Sequence, residues 1–327
     1  MPTTAPISLI LLLITQISTA FRPHFIGPPF RNHLSIDDNF HLASICGYQN
    51  QYSLEKEFPW AISLFKFKPN FPLELSRNQL GGSIISPFHI LTVAHGFLVF
   101  KGQELTPCII DRYRTIDELQ QRFVAYGGKC IRGWDKADWL PNDQRCMRPD
   151  VTYNKIRSVM IDEDFAQNHC MKGHDWAIIE LEKPIVWNNH TKPICLPNRN
   201  LYLDQILSVS GWGRASAFVD GNPYIRETPM YLNRECSRPW SDTLPNDAED
   251  YLCANSVDMR NYTAPRTCHG DSGSGMEQRD QNGRAELVAL TSFGTKGCPS
   301  NMLARFTKIA NYLPHICTIT GVCYRNF

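Results

Sequence analysis

The 327-residue sequence has no excess of charge of either sign: 33 Lys and Arg stand against 32 Asp and Glu, a formal net charge of +1. That balance gives no support to a nucleic-acid partner or an anionic membrane surface, and the basic residues are scattered rather than massed. The chain also has few long apolar runs. The run Ile7 to Ile17 is shorter than the roughly 20 residues a membrane helix needs, and Ser18-Thr19-Ala20 follows it as a small-residue cleavage pattern. A basic stretch before it is missing. The run still reads as a signal peptide over residues 1–20, with a buried core helix as the other reading. No later segment is apolar enough to span a membrane, so a secreted, extracellular chain is expected. Helical periodicity is scarce, and no internal repeat is evident.

Cysteine is present in quantity, with 12 residues. An even number in a secreted chain points to disulfides. Residues 21–45 are rich in Pro and His, without sustained helix or strand periodicity, and read as an N-terminal extension or propeptide. From Phe58 onward, short runs rich in Ile, Val, Leu and aromatics alternate with Gly, Pro and Asn: "PWAISLFKF", "GGSIISPFHILTVAH", "RFVAYGG", "DWAIIELEKPI", "LSVSGWG", "AELVALTSFG". Many short strands with almost no helix predict an all-β sandwich or barrel pair. A helix is expected late, around "ARFTKIANYL". Residues 101–172 break the rhythm and read as inserted loops with one short helix near "DELQQRF", tied by Cys108, Cys130, Cys146 and Cys170 in a pairing the sequence leaves open. Zinc at His169, Cys170 and His174 is the alternative, and disulfides are favoured over it. The sequons at Asn189 and Asn261 are candidate glycan sites on exposed loops.

Three features carry possible chemistry. "GDSG" sets Ser272 among glycines that allow a tight turn and leave N–H groups unobstructed. A serine hydroxyl needs a base to take its proton and donors for the oxyanion that develops. "ILTVAHG" ends an apolar strand on His95, and "HDWAIIEL" sets Asp175 before an alternating segment. Each alone is ordinary: a turn, a packed histidine, a cap. In the order His, Asp, Ser they match the chain order of chymotrypsin-type enzymes. With "GGSIIS", "TVAHG", "PICLP", "SGWG", "CHGDSGSG" and "TSFG" in series, the chain resembles the trypsin/chymotrypsin family of secreted serine peptidases from about Cys46 to Leu313. Within that family it looks most like divergent nematode trypsin-like proteins.

The resemblance implies an all-β fold of two six-stranded antiparallel β-barrels, chymotrypsin-like, with a C-terminal helix. The peptidase domain would cover residues 46–327, with barrel halves at about 55–190 and 198–316. It implies His95 as general base, Asp175 as its orienting carboxylate, Ser272 as nucleophile, and the N–H groups of Gly270 and Ser272 as oxyanion hole. Ser292 would support the aspartate, and the backbone of Ser292, Phe293 and Gly294 would pair with substrate, Phe293 standing where tryptophan is usual. Implied disulfides are Cys268–Cys298, Cys236–Cys253 and Cys46–Cys195. Two further family bridges are missing at both ends, at Leu80 with Gly96 and at Leu207 with Gln278, and the terminal pair Cys317/Cys323 is a candidate for compensation. The partners implied are polypeptide substrates and protein protease inhibitors, with no metal and no cofactor.

Three departures mark the chain. The resemblance places Arg266, six residues before Ser272, at the base of the primary pocket, where an aspartate would select Lys or Arg. Turned inward, it would repel basic and attract acidic P1 side chains; turned outward, it would leave a pocket for small or apolar groups. Either way, trypsin-like specificity is not expected. The family's activating cut, after a basic residue and before Ile or Val, has no match in "SICGYQNQYSLEKEF". The aspartate before the nucleophile, Asp271, therefore lacks the new N-terminus with which it would pair. An unusual cut, an internal cation and a zymogen-like protein all stay open, as does a catalytically silent homologue that binds partners. Finally, Ser274-Gly275 replaces the usual Gly-Pro, a change worth about 1 kcal/mol in backbone freedom.

Overall fold

A computed structural model describes residues 21–49, 57–66, 78–101, 108–131, 146, 150–198, 202–214, 223–233, 236 and 249–323. The signal-peptide segment lies outside them. In chain order the strands and helices are β1 (Pro23–Ile26), α1 (Ile36–Ile45), β2 (Ala61–Lys66), β3 (Asn78–Ile84), β4 (His89–Thr92), β5 (Leu98–Phe100), β6 (Ile110–Tyr113), α2 (Ile116–Gln120), β7 (Arg122–Tyr126), β8 (Thr152–Asp162), α3 (Glu163–Gln167) and β9 (Ala177–Leu181). The second half adds β10 (Ile206–Gly211), β11 (Arg226–Asn233), β12 (Tyr251–Ser256), β13 (Gly275–Arg279), β14 (Ala285–Gly294), β15 (Ala304–Lys308) and α4 (Leu313–Thr320).

These elements close into two six-stranded antiparallel β-barrels, the chymotrypsin-like fold. The first runs β8-β7-β2-β3-β4-β9 and closes through β8–β9; the second runs β10-β11-β12-β15-β14-β13. Alternation decides the faces. In β11, Thr228, Met230 and Leu232 are buried while Pro229 and Tyr231 are exposed, the period of two that a half-covered strand requires. Strand β9 departs from that pattern because all five of its residues are buried. At Glu180 the N-terminal extension supplies the cover: Glu180 Oε1 accepts from the backbone N–H groups of Arg31 and Asn32 and from Asn32 Nδ2, each at 2.9 Å. A buried carboxylate that would be costly alone is thereby solvated by protein.

The extension holds more regular structure than its sequence suggests. Strand β1 pairs with the end of β8, Pro23 opposite Asp162. Helix α1 opens on a capping box in which Ser35 and Asp38 satisfy each other's backbone N–H groups. At the other end of the chain, "ARFTKIANYL" is not helical at its start. Ala304–Lys308 is strand β15, wedged between β12 and β14, and the helix begins only at Leu313. Barrel closure overrode local propensity there.

Six disulfides fasten the loops: Cys46–Cys195, Cys108–Cys170, Cys130–Cys146, Cys236–Cys253, Cys268–Cys298 and Cys317–Cys323. With Cys170 bonded to Cys108, the zinc alternative loses its sulfur ligand. The two missing family bridges have visible replacements. A Cβ on Gly96 would come within 2.7 Å of Leu80, whose side chain fills that space. Ser208 lies opposite Glu277, so Leu207 and Gln278 are neighbours across β10 and β13, where Gln278 Nε2 donates to the Tyr202 carbonyl.

Candidate active site

Sheet register brings the histidine to the aspartate. Thr92 pairs with Ala177, so the turn after β4 and the segment before β9 emerge at one end of the first barrel. His95 sits in a short 3₁₀ turn, Ala94–Phe97, and Asp175 just before β9. His95 Nδ1 lies 2.8 Å from Asp175 Oδ2, and the His95 backbone N–H donates to Oδ1 at 2.9 Å. Asp175 is fully buried; the Ser292 hydroxyl donates to Oδ2 as well, and Thr307 Oγ1 donates to the Asp175 carbonyl at 3.1 Å. Held on Nδ1, the imidazole keeps Nε2 for a proton from elsewhere.

Ser272 arrives from the second barrel. Its turn is fixed by backbone hydrogen bonds from Asp271 N to Cys268 O, Ser274 N to Asp271 O, and Gly273 N to Thr291 O. Gly81 N of the first barrel donates to Ser272 O at 2.7 Å, joining the barrels at this residue. The approach needs glycine on both sides: a Cβ on Gly81 would meet Ser274 Oγ at 2.1 Å, and Gly273, at φ +80°, would meet Thr92 Oγ1 at 2.3 Å. Gly270 has φ +94°, another conformation that favours glycine. Ser274 is buried, and Thr291 donates to its carbonyl through both N and Oγ1. The unusual Ser-Gly pair is thus built into the junction between the barrels, behind the nucleophile turn.

His95, Arg266, Ser272, Ser292, Phe293 and Gly294 line one cavity of about 130 Å³. Phe293 stacks on the His95 ring at 5.5 Å and is itself backed by Phe165 of α3 at 6.1 Å. Arg266 points inward and is only 1% exposed. Its Nε donates to Thr267 O, and its NH1 donates to Pro299 O and Met302 O, so backbone dipoles hold its charge. A Cβ on Gly294 would come within 2.6 Å of Arg266 NH2. The outward orientation is therefore not adopted, because the ring of carbonyls inside solvates the guanidinium. Cys268–Cys298 borders the same cavity.

The chain in which these residues lie matches the trypsin family model over residues 49–316. It belongs to the trypsin family. It is 28% identical over 305 residues to the CLIP domain-containing serine protease B8 of Anopheles gambiae, covering 85% of this chain and 69% of that one. To the clotting factor G beta subunit of Tachypleus tridentatus it is 24% identical, covering 80% of this chain and 76% of that one. It is also 21% identical to the inactive CLIP domain-containing serine protease A8 of Anopheles gambiae, over 83% of this chain and 67% of that one.

Two residues of this trypsin-family site were invisible in the sequence. Tyr251, at the start of β12, is buried beside Asp175; burial first, then the charges of Asp175 and Asp250, push its phenol well above the ordinary range. Arg226, at the start of β11, reaches Asp271 with NH2 3.8 Å from Oδ2. No motif marks either, since strand pairing alone brings them in. Elsewhere, Asp162, Asp164 and His174 have metal-ligand spacing, but Asp162 Oδ2 already accepts from Trp176 Nε1 and bonds His174 Nδ1. The sequon residues Asn189 and Asn261 are both exposed. No helix among the described residues is long and apolar enough to cross a membrane.

Proposed function

We propose that this trypsin-family chain is a secreted serine endopeptidase that hydrolyses peptide bonds through an acyl-enzyme. The observation that carries the reading is the buried Asp175 carboxylate bonded to His95 Nδ1, on a cavity that His95 shares with Ser272. In this reading His95 Nε2 takes the Ser272 proton as Oγ bonds to the scissile carbonyl carbon. The carbonyl oxygen becomes an oxyanion held by the N–H groups of Gly270 and Ser272. Collapse breaks the C–N bond, and His95 returns the proton to the leaving amine. Water then repeats the sequence on the ester and frees Ser272. Asp175 keeps the imidazole in the tautomer that accepts on Nε2 and stabilises the imidazolium, without itself taking the proton. The Ser292–Gly294 backbone would pair with the substrate chain.

The buried guanidinium of Arg266 supports a P1 preference that is not trypsin-like. A lysine or arginine side chain entering the cavity would meet a like charge away from bulk water. Polypeptides are the substrates, and protein protease inhibitors are natural ligands of the same cleft. Six disulfides support an extracellular address. A silent homologue that binds partners is the second reading, favoured by the similarity to an inactive relative. Covalent labelling by a fluorophosphonate separates the two. Mass spectrometry is expected to place the adduct on Ser272, and a folded, processed protein that stays unlabelled would overturn the peptidase reading.

A further inference from the structure

Asp271 poses an electrostatic problem beside the nucleophile. Its carboxylate is 3% exposed, and it sits in the turn that also carries Gly270 and Ser272. A buried carboxylate must be paired or must accept several hydrogen bonds to stay charged. Here Oδ1 accepts from Gly213 N at 2.9 Å and Oδ2 from Cys268 N at 3.0 Å. The cation is Arg226, whose NH2 is 3.8 Å from Oδ2 and also donates to the Gly213 carbonyl at 2.9 Å. The backbone of one residue is therefore gripped from both sides. Gly213 N–H binds the carboxylate, and Gly213 C=O binds the guanidinium that faces it.

The surroundings are shaped for this arrangement. A Cβ on Gly213 would lie 2.3 Å from the Asp271 carboxyl carbon, and one on Gly211 would lie 2.8 Å from Oδ1. Both glycines of "SGWG" thus make room for the carboxylate. Arg226 lies opposite Gly211 in the β10–β11 ladder, so sheet register, not a mobile loop, delivers the cation. Arg214 N, one residue beyond Gly213, donates to His269 O at 2.9 Å and ties the same strand end to the nucleophile turn. Of the segment where the family's new N-terminus would arise, the described residues Cys46 to Tyr48 are meanwhile engaged elsewhere. Cys46 is bonded to Cys195, Gly47 N donates to Pro193 O, Gly47 O accepts from Ala285 N, and Arg284 lies over the Tyr48 ring.

We propose that Arg226 is a positioning residue: it pairs with Asp271 in the uncleaved chain and so holds the Gly270–Gly273 turn in its working shape without a newly cut N-terminus. The inference rests on the peptidase reading for its catalytic consequence. Its structural part, the dependence of the turn on Arg226, stands apart from that reading. It follows that the intact chain carries a formed oxyanion site, and that processing before Pro59-Trp60 is not the step that switches it on.

The test uses the full secreted chain, its intactness checked by mass, with Arg226→Gln and Arg226→Lys. Two quantities are read: the rate of fluorophosphonate labelling of Ser272, and amide hydrogen exchange of peptides spanning residues 268–275. The uncleaved wild type is expected to label, Arg226→Gln to label about 100-fold more slowly, the scale of losing one oxyanion donor, and Arg226→Lys to recover most of the rate. Exchange across 268–275 should rise in Arg226→Gln and stay near wild type in Arg226→Lys, while peptides from the first barrel are unchanged. Labelling that begins only after a cut between residues 46 and 57 would overturn the inference and spare the peptidase reading. So would a glutamine variant with wild-type rate and exchange. If neither cut nor uncut wild type labels, the peptidase reading fails, and the exchange comparison still decides what Arg226 does. If Arg226→Gln does not fold, the lysine variant decides: a folded lysine variant with unprotected 268–275 peptides counts against the inference.

Discussion

Arg266 shows how much one side chain decides at this site. A guanidinium that donates to three backbone carbonyls and is shut from water cannot be displaced cheaply by a substrate cation. Arg266→Asp reverses the sign of charge at the base of the cavity. It should raise kcat/KM for lysyl and arginyl P1 residues over neutral ones by about tenfold or more. A P1 library scan of wild type and variant checks this, and a wild type that cleaves best after Lys or Arg would sink the argument. Ser274 and Gly275 illustrate the opposite case. Their departure from Gly-Pro is absorbed locally, because Gly275 still pairs with Leu290 and a Cβ there would meet Ser83 Oγ at 2.4 Å.

Among the elements, β1 and α1 give residues 21–45, expected to be an extension or propeptide without helix or strand periodicity, one regular element of each kind. Strand β1 extends the edge of β8 where β7 leaves it, and Phe21 stacks on both Trp176 and His315. Asn39 of α1 donates to Gly321 O and accepts from Cys323 N, tying the extension to the chain beyond α4. The four residues of β1 are too few to show a period of two, which is why the sequence concealed it. Only the formed helix shows Ser35 and Asp38 as its capping box. Deleting residues 21–34 removes three neutral donors from buried Glu180 while its ion pair with Arg157 stays, and is expected to cost about 3–5 kcal/mol, the scale of several hydrogen bonds to a charged group. Urea unfolding of the shortened chain measures this, and an unchanged midpoint would show a dispensable segment.

For the molecule as a whole, buried histidine couples stability to acid. His89 is fully buried, with Nδ1 2.7 Å from Ser86 Oγ and no partner for Nε2 among the described residues. Burial lowers its pKa from 6.5 to about 4, with Glu180 pulling upward and His33 downward. The unfolded chain then binds the extra proton between pH 6.5 and 4 while the folded protein does not. Stability should fall as pH drops through that window, by roughly 3 kcal/mol from this group. Denaturant midpoints at pH 7 and 4.5 in wild type and His89→Gln test the sign. A slope that persists undiminished in the variant would assign the loss to other groups.

The sequence by itself determined which residues are candidates for the chemistry, and their order. His95, Asp175, Ser272 and the glycines around them are marked by short local patterns, because strand ends, tight turns and close backbone approaches restrict residue choice position by position. Strand-length apolar runs determined the all-β class in the same local way. Tertiary structure alone decided which groups meet. It joined Cys108 to Cys170 and Cys130 to Cys146, turned Arg266 inward onto the carbonyls of Thr267, Pro299 and Met302, and set Arg226 against Asp271. Those encounters depend on barrel register between segments far apart in the chain. A buried charge finds its partner through that register, and local sequence does not encode it.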